Sequence, residues 1–288
     1  RIPILLRPVV MLVLTSLVGG MATGPIAAAH FHRMPEYGLL ANLLAVPVMG
    51  TLVMPAGVIA ALLAPLVLAA PALWVMEQGT RWMIFVAEWV AGLEGAVIAV
   101  PQPPAFVLPA LALGAVVAVL ARGAGRSLGG LAMVLALGGW AVAVRPVLLI
   151  APEATLVGVM TPAGRALSKS AAGFIAESWL EADGDGATRD EAALRPGFEG
   201  PRNARVARLP DGRALVHLSG KGAAGRLAEH CQGGALVVMA AKAPPGDTPG
   251  CDLWDETRLA TSGAVAIAAD GQMHTSAGVT GTRLWTGR

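Results

Sequence analysis

Charged residues are distributed very unevenly along this 288-residue chain. Residues 1–150 contain no Lys and no Asp, with seven Arg and four Glu, whereas residues 151–288 contain fourteen Arg or Lys and fifteen Asp or Glu. In the hydrocarbon of a bilayer every charge is costly, and every backbone polar group must be satisfied within the protein. The distribution therefore predicts a polytopic α-helical membrane domain over residues 1–150, followed by a small β-rich (α+β) soluble domain over residues 151–288.

Six apolar stretches approach the length of about 20 residues that a helix needs to cross a bilayer. They cover residues 6–22, 37–56, 57–74, 80–98, 104–121 and 128–149. The region 37–74 is ambiguous because four prolines interrupt it, at Pro47, Pro55, Pro65 and Pro71. It is compatible with a helix pair, with one long broken helix, and with a re-entrant element.

The few cations predict an orientation. Arg122 and Arg126 lie in the turn 122–127, whereas the turn 99–104 carries no charge. By the positive-inside rule the first turn is cytoplasmic and the second lies outside, so residues 151–288 are expected in the periplasm or outside the cell, after the last span of a multi-pass plasma (inner) membrane protein. Arg145, near the outer end of the last span, is the one charge that disagrees. The chain opens with Arg-Ile-Pro and without an initiator Met, which is typical of the C-terminal part of a longer membrane protein.

The most unusual polar residues of the apolar half lie between the first two spans. His30, His32 and Arg33 fall just outside one span, and Asn42 falls inside the next. Polar groups at membrane depth suggest function, although the first three also suit a wet interfacial turn and Asn42 could bond a neighbouring helix. Arg81 lies four residues after Glu77, so that pair could line water or hold helices together.

Six positions in this half occur in a recognisable order, in the pattern P-x5-F, G-L-L-A-N-L-L-A-V-P and M-P: Pro25, Phe31, Gly38, Asn42, Pro47 and Pro55. This order resembles the competence domain of ComEC-type DNA-internalisation proteins, and the resemblance continues through Trp74 and Gly79 to about residue 150. It implies an inner-membrane channel that admits one strand of transforming DNA.

The resemblance implies single-stranded DNA, the lipid bilayer and other competence proteins as partners. Because the chain has no Walker motif, a separate ATPase or translocase must supply the energy. A strand with one phosphate charge per nucleotide needs a hydrated path lined by cations, and the candidates for that path are His30, His32, Arg33, Asn42 and Arg81. The pore could lie within one bundle or between identical subunits of a homo-oligomer. The alternative function is a small-solute permease or a membrane-anchored hydrolase that acts through its external domain.

The soluble half alternates short apolar runs with Gly, Asp and Pro turns. Its strands are expected near residues 154–160, 205–209, 214–218 and 234–240, with a hairpin turn at Leu209–Arg213 and a helix at 222–230. Many members of the family carry a metallo-β-lactamase-like domain here, whose chemistry needs a His-x-His-x-Asp-His cluster. The three histidines His217, His230 and His274 are isolated, so no metal, no cofactor and no enzymatic activity is predicted. The domain is either a decayed relative of that domain or unrelated to it.

Two groups of charged residues in this half lead to further predictions. The segment Asp183–Glu191 lacks the oxygen ligand and the glycine of a calcium loop at Ala187 and Thr188, which favours a solvated acidic loop. The basic series Arg202, Arg205, Arg208 and Arg213 is interpreted as a soluble face rather than a DNA-binding surface.

Cys231 and Cys251 are the only cysteines of the chain. In an oxidising compartment they could close a disulfide that stabilises the domain by about 3 kcal/mol. A zinc site that also uses His230 lacks a convincing fourth ligand, and free thiols are the third alternative.

Overall fold

The computed structural model describes residues 3, 6–171, 173–245 and 250–281. The chain separates into two compact units, residues 1–100 and residues 101–288. The N-terminal region is helical, and the C-terminal part is rich in β-structure.

The first unit contains four helices, α1 (Arg7–Phe31), α2 (Gly38–Val48), α3 (Met54–Leu63) and α4 (Ala70–Ala91). Among the described residues, two helical runs are long and apolar enough to cross a membrane: Arg7–Phe31, with a mean hydropathy of 1.8, and Gly38–Leu66, with a mean hydropathy of 2.1. Their apolar side chains are largely exposed, as a lipid environment would require. A larger number of crossings remains a prediction.

The ambiguous region 37–74 begins with one continuous helical run rather than two separate spans. A π-helical segment, Met49–Val53, joins α2 to α3, and a short 3₁₀ turn, Ala64–Leu66, ends the run. The bulge packs on α4 at Gly79, where an added Cβ would lie 2.6 Å from a methyl group of Val53. Of the three alternatives, the long interrupted helix is the one found for residues 38–66.

Two three-residue strands tie the ends of helices together within the first unit. β1 (Arg33–Pro35), which follows α1, pairs antiparallel with β2 (Val97–Ala99), which follows α4. Flanking backbone hydrogen bonds extend the pairing, from the Val100 amide to the His32 carbonyl at 2.9 Å and from the Glu36 amide to the Ala96 carbonyl at 3.1 Å. The C-terminal ends of α1 and α4 therefore lie on the same side of this unit.

The second unit begins with a tight helical hairpin of α5 (Val107–Leu120) and α6 (Ala124–Ala141). The backbones come into contact at two glycines: a Cβ at Gly129 would lie 2.6 Å from the Gly114 carbonyl oxygen. The Arg126 Nε donates to the Ala118 carbonyl at 3.1 Å. Since α6 begins at Ala124, Arg126 lies inside the helix, and only Arg122 remains in the predicted turn.

The last predicted span is shorter than expected. α6 ends at Ala141, and Leu148–Ile150 forms the strand β3, which pairs with β4 (Val157–Thr161) in the sheet of the following domain. An apolar run of this length suits a buried strand as well as the end of a span. The β-structure thus starts a few residues before residue 151.

The rest of the second unit consists of two sheets. One has the strand order β11-β10-β3-β4-β5 and the other the order β6-β7-β8-β9, in which β7, β8 and β9 are parallel. The remaining strands are β5 (Gly164–Leu167), β6 (Ala204–Arg208), β7 (Ala214–Leu218), β8 (Ala235–Met239), β9 (Cys251–Trp254), β10 (Val265–Ile267) and β11 (Met273–Thr275). The helices are α7 (Gly173–Ala182), α8 (Arg189–Leu194), α9 (Leu227–His230), α10 (Glu256–Ser262) and α11 (Ser276–Thr280), more than the one or two that the pattern predicted.

The two sheets pack face to face, with helices on their outer sides. Leu148, Val159 and Val265 from one sheet share a buried cluster with Leu215 and Val238 from the other. The outer faces are covered by α7 and α8 on one side and by α9 on the other. The predicted hairpin is confirmed, since Leu209 and Arg213 close the turn between β6 and β7 with a 3.0 Å backbone hydrogen bond.

We expect Gly129→Ala to destabilise the α5–α6 hairpin by about 1–3 kcal/mol, because its methyl group would enter the backbone of α5. Gly130→Ala is the matched control: a Cβ at Gly130 has no neighbour within 4 Å, and Ala is the better helix former. Unfolding of both variants in mixed detergent micelles measures the difference. Equal stability of the two variants would contradict the close packing.

Candidate nucleic-acid interface

Three of the four cations predicted to face DNA lie at one end of the first unit. His30 is the penultimate residue of α1 and is exposed, with its Nδ1 2.9 Å from the Ile26 carbonyl oxygen. Arg33 begins β1, opposite Ala99, and its side chain is also exposed. The strand pairing holds this turn against the segment that follows α4, so the cations have a fixed position.

His32 ends α1 in a left-handed backbone conformation, with φ +53°. This conformation is unfavourable for a residue with a Cβ, and the hydrogen bond between its carbonyl and the Val100 amide holds it in place. The Nδ1 atom of His32 is enclosed and has no hydrogen-bond partner among the described residues. The backbone of His32 is thus part of the strand pair, while its ring keeps one unused polar atom.

Asn42 lies one turn into α2, at the same end of the unit. Its side chain is exposed and makes no side-chain hydrogen bond to another described residue. It therefore does not bond a neighbouring helix within this unit, and in a membrane its amide would need a partner from outside the described chain.

Arg81 lies away from the other candidates. It sits ten residues before the end of α4, which corresponds to about 15 Å along the helix axis. Its guanidinium pairs with Glu77 at 2.7 Å on an exposed face. The structure thus groups His30, His32, Arg33 and Asn42 at one end and leaves Arg81 in a separate ion pair.

The remaining positions of the family pattern have structural roles. Pro25 lies inside α1, Phe31 is its exposed last residue, and Gly38 is the first residue of α2. Pro47 lies within α2, and Pro55 is at the start of α3.

Pro47 points to two residues that the sequence analysis missed. A proline inside a helix has no N–H, so Pro47 leaves the carbonyl four residues earlier, that of Leu43, without its helical donor, and additional donors can hold the irregular turn around it. The Thr51 hydroxyl donates to the Pro47 carbonyl at 2.7 Å, and the indole of Trp82 on α4 donates to the Leu44 carbonyl at 3.1 Å. A search for donors near each proline would have indicated Thr51, but the position of Trp82 depends on tertiary packing.

The acidic segment of the soluble half is not a solvated loop, so that interpretation was wrong for its first part. Asp183 is buried and forms a bidentate pair with the fully buried Arg165, whose Nη2 also donates to the Pro146 carbonyl at 3.0 Å. Asp185 forms a second bidentate pair with Arg195, which lowers the pKa of that carboxyl. Buried carboxylates persist only with such partners.

Two of the four arginines in the basic series have local partners. Arg205 donates to the carbonyls of Ser168 at 3.3 Å and Gly200 at 3.1 Å, and Arg213 pairs with Asp211 at 2.7 Å.

A buried serine–histidine pair connects the two sheets. His217 on β7 lies 2.8 Å from the Ser168 hydroxyl through Nδ1 and 2.9 Å from the Ala154 carbonyl through Nε2. The Val157 amide donates to the same hydroxyl at 3.1 Å, so the Ser168 hydroxyl donates to Nδ1 and Nε2–H donates to Ala154. Ser168 is 2% exposed, so a substrate cannot reach it as a nucleophile. The hydrogen bond from His217 to the Ala154 carbonyl stabilises the turn in which Glu153 and Ala154 both have an unfavourable positive φ.

The two cysteines are joined in a disulfide. Cys231, at the end of α9, and Cys251, at the start of β9, have their Cα atoms 4.9 Å apart. No group of three or more His, Cys, Asp or Glu side chains that could hold a metal ion occurs in the described part of the chain.

A sequence model of the family described as "Competence protein" matches residues 3–125 of this chain. The match confirms the resemblance to ComEC-type competence proteins for that segment and connects it with competence, the uptake of DNA by cells. The matched segment contains the cation group, the proline-interrupted helix and α4. No curated protein and no solved structure matches the chain.

We expect the second unit to lose stability as the pH falls from about 6.5 to about 4. Burial, opposed by the hydrogen bond to Ala154, lowers the pKa of His217 to about 4 from its ordinary value of 6.5. The unfolded chain therefore binds a proton that the folded chain excludes, and about 3 kcal/mol is lost across this window, with no further loss from this group below it.

Urea unfolding of the detergent-solubilised chain, followed by tryptophan fluorescence, measures this dependence. His217→Gln should remove that part of the pH slope, whereas His274→Gln, at an exposed position, should keep it. A slope that persists in His217→Gln would show that another group is responsible.

Proposed function

We propose that this chain is a component of the channel that moves single-stranded DNA across the inner membrane during natural transformation. The observation that carries the proposal is the match of residues 3–125 to the competence family, in a segment whose turn after α1 carries His30, His32 and Arg33. The coarser role, in competence, follows from the match itself, and the translocation of one strand is the proposed mechanism.

The strand pair supports an outer location for the cations. β2 leads directly into the turn 99–104, which the charge pattern predicts to lie outside. Because β1 pairs with β2, residues 30–36 would lie on that same side. DNA that arrives from the periplasm would then meet His30, His32 and Arg33 at the entrance of the path.

The electrostatics of this turn suit a polyanion. It has three basic side chains and one acid, Glu36, within residues 30–37. The flanking helices α1 and α2 contain no acid, and the segment that leads into β2 adds one acid, Glu94. A cation in such a low-dielectric setting attracts phosphate more strongly than it would in water. The exposed ring of His30 and the side chain of Phe31, which is 70% exposed, offer flat surfaces for transient stacking.

The second unit suits the same compartment. A disulfide between Cys231 and Cys251 persists where conditions are oxidising, which agrees with a periplasmic position after α6. The energy for translocation would come from another protein, and either one bundle or several identical subunits would form the pore. A permease or hydrolase is not favoured by any observation, since the one serine–histidine pair of the described residues is closed to solvent.

The test is DNA internalisation in the native host with labelled donor DNA. We expect Arg33→Gln to reduce the amount of strand that reaches the cytoplasm by about tenfold, because one phosphate-attracting charge worth roughly 1.4 kcal/mol is removed from the entrance. Donor DNA should accumulate outside the inner membrane, and the variant should remain in the membrane at the wild-type level.

Glu36→Gln is the matched control in the same turn. It is also exposed, and it removes a negative charge, so uptake should be unchanged or higher. Equal losses in Arg33→Gln and Glu36→Gln would indicate a structural defect of the turn. Full uptake in Arg33→Gln, or in a strain that lacks the whole gene, would contradict the proposed function.

A further inference from the structure

The second unit contains a surface cavity of about 200 Å³ next to the end of α6. It is lined by Arg145, by Ala163 in the β4–β5 turn, and by the segment Asp183–Gly186. Nothing in the competence family match covers this region, since the match ends at residue 125.

The charge of the lining is set by Arg145. The carboxylates of Asp183 and Asp185 each accept two hydrogen bonds from a guanidinium, of Arg165 and Arg195 respectively. Both acids are therefore neutralised in place, and a metal cation would have to displace an arginine to reach them. Arg145 is exposed and forms no ion pair or hydrogen bond with another described residue. The cavity thus offers one unpaired positive charge.

A second donor lies at the same cavity. The backbone N–H of Gly186 makes no hydrogen bond within the described chain, and a Cβ at this position would have no neighbour within 4 Å. An arginine together with an open backbone amide is a combination that binds phosphate oxygens.

The surroundings of Arg145 are apolar. Val142 and Val144, in the segment between α6 and Arg145, are 74% and 79% exposed. The part of α6 nearest to Arg145 adds exposed Leu side chains, among them Leu135 at 64% and Leu137 at 47%. At the same end of the hairpin the buried Trp140 donates from its indole to the Pro101 carbonyl at 2.7 Å and so connects the end of α6 to the start of the second unit.

We propose that this cavity binds the phosphate of a phospholipid head group from the outer leaflet. Arg145 pairs with the phosphate, Gly186 donates to it, and the acyl chains run along Val142, Val144 and the α5–α6 hairpin. Arg145 is the one cation that disagrees with the positive-inside pattern. The site accounts for it, because the lipid phosphate neutralises its charge. The placement rests on the proposed membrane position of α5 and α6.

The contact would fix the soluble domain to the membrane surface. The Gln102 amide donates to the Ala182 carbonyl at 2.8 Å, directly before Asp183. The 101–104 turn is therefore one point at which the β-rich domain is attached. The lipid phosphate would add a second attachment point at Arg145.

Native mass spectrometry of the full chain in detergent, with added phosphatidylglycerol, tests the proposal. We expect Arg145→Gln to retain this lipid roughly fivefold more weakly, the effect of one basic residue at a lipid surface. Ala163→Phe should weaken retention comparably, because it fills the cavity and leaves every charge unchanged. Arg122→Gln, which removes an exposed arginine from the other end of the hairpin, should retain the lipid as the wild type does.

The proposal would be overturned if Arg145→Gln or Ala163→Phe retained the lipid as the wild type does. It would also be overturned if Arg122→Gln lost as much lipid as Arg145→Gln. Equal retention of diacylglycerol, which lacks the phosphate, would do the same. A short oligothymidylate that displaces the lipid in the wild type and not in Arg145→Gln would assign the cavity to DNA instead. The assay needs no DNA uptake, so a failure of transformation with lipid retention intact would count only against the proposed function.

Discussion

The pairing of Arg33–Pro35 with Val97–Ala99 is the constraint on which the arrangement of the first unit depends. A two-stranded ribbon of this length has little stability of its own, so it forms because the helices bring the two segments together. In return its backbone hydrogen bonds fix the turn after α1 and hold His32 in a left-handed conformation. The position of the cations beside residues 97–100, and the interpretation of that end as an entrance for DNA, both follow from this contact.

The helices themselves pack through close backbone approach and through donors that satisfy free carbonyls. Gly79 leaves room for the π-helical bulge, and Gly114 and Gly129 allow α5 and α6 to touch. Trp82 and Arg126 each donate a hydrogen bond to a carbonyl of the adjacent helix. This is the pattern expected where water cannot satisfy the backbone. The β-rich part is held differently, by apolar layers and by polar bridges at Arg165 and His217.

The sequence predicted those features that depend on local chemistry. The turn Leu209–Arg213 has its signal within five residues, and the break in charge near residue 150 lies close to the change from helices to β-structure. Features that depend on distant partners were missed. Asp183 and Asp185 were assigned to solvent because Arg165 and Arg195 lie 18 and 10 residues away along the chain. Whether the helix continues past Pro47 depended on its contacts with Gly79 and Trp82 on α4. Leu148–Ile150 was taken for the end of a span because an apolar strand and an apolar helix end share the same composition. At the candidate site the cations and their closeness along the chain were evident from the sequence, but their position beside residues 97–100 needed the strand pair, which has no sequence signal of its own.

The sidedness of the chain is tested most directly by single-cysteine labelling of intact cells with a membrane-impermeant maleimide. The two native cysteines are joined to each other, so Arg33→Cys, Gln102→Cys and Arg122→Cys can each serve as the reporter. The account predicts that residues 33 and 102 are labelled from outside, and that residue 122 is labelled only after the membrane is opened. Labelling of residues 33 and 102 from opposite sides would contradict the strand pairing and, with it, the location of the DNA entrance.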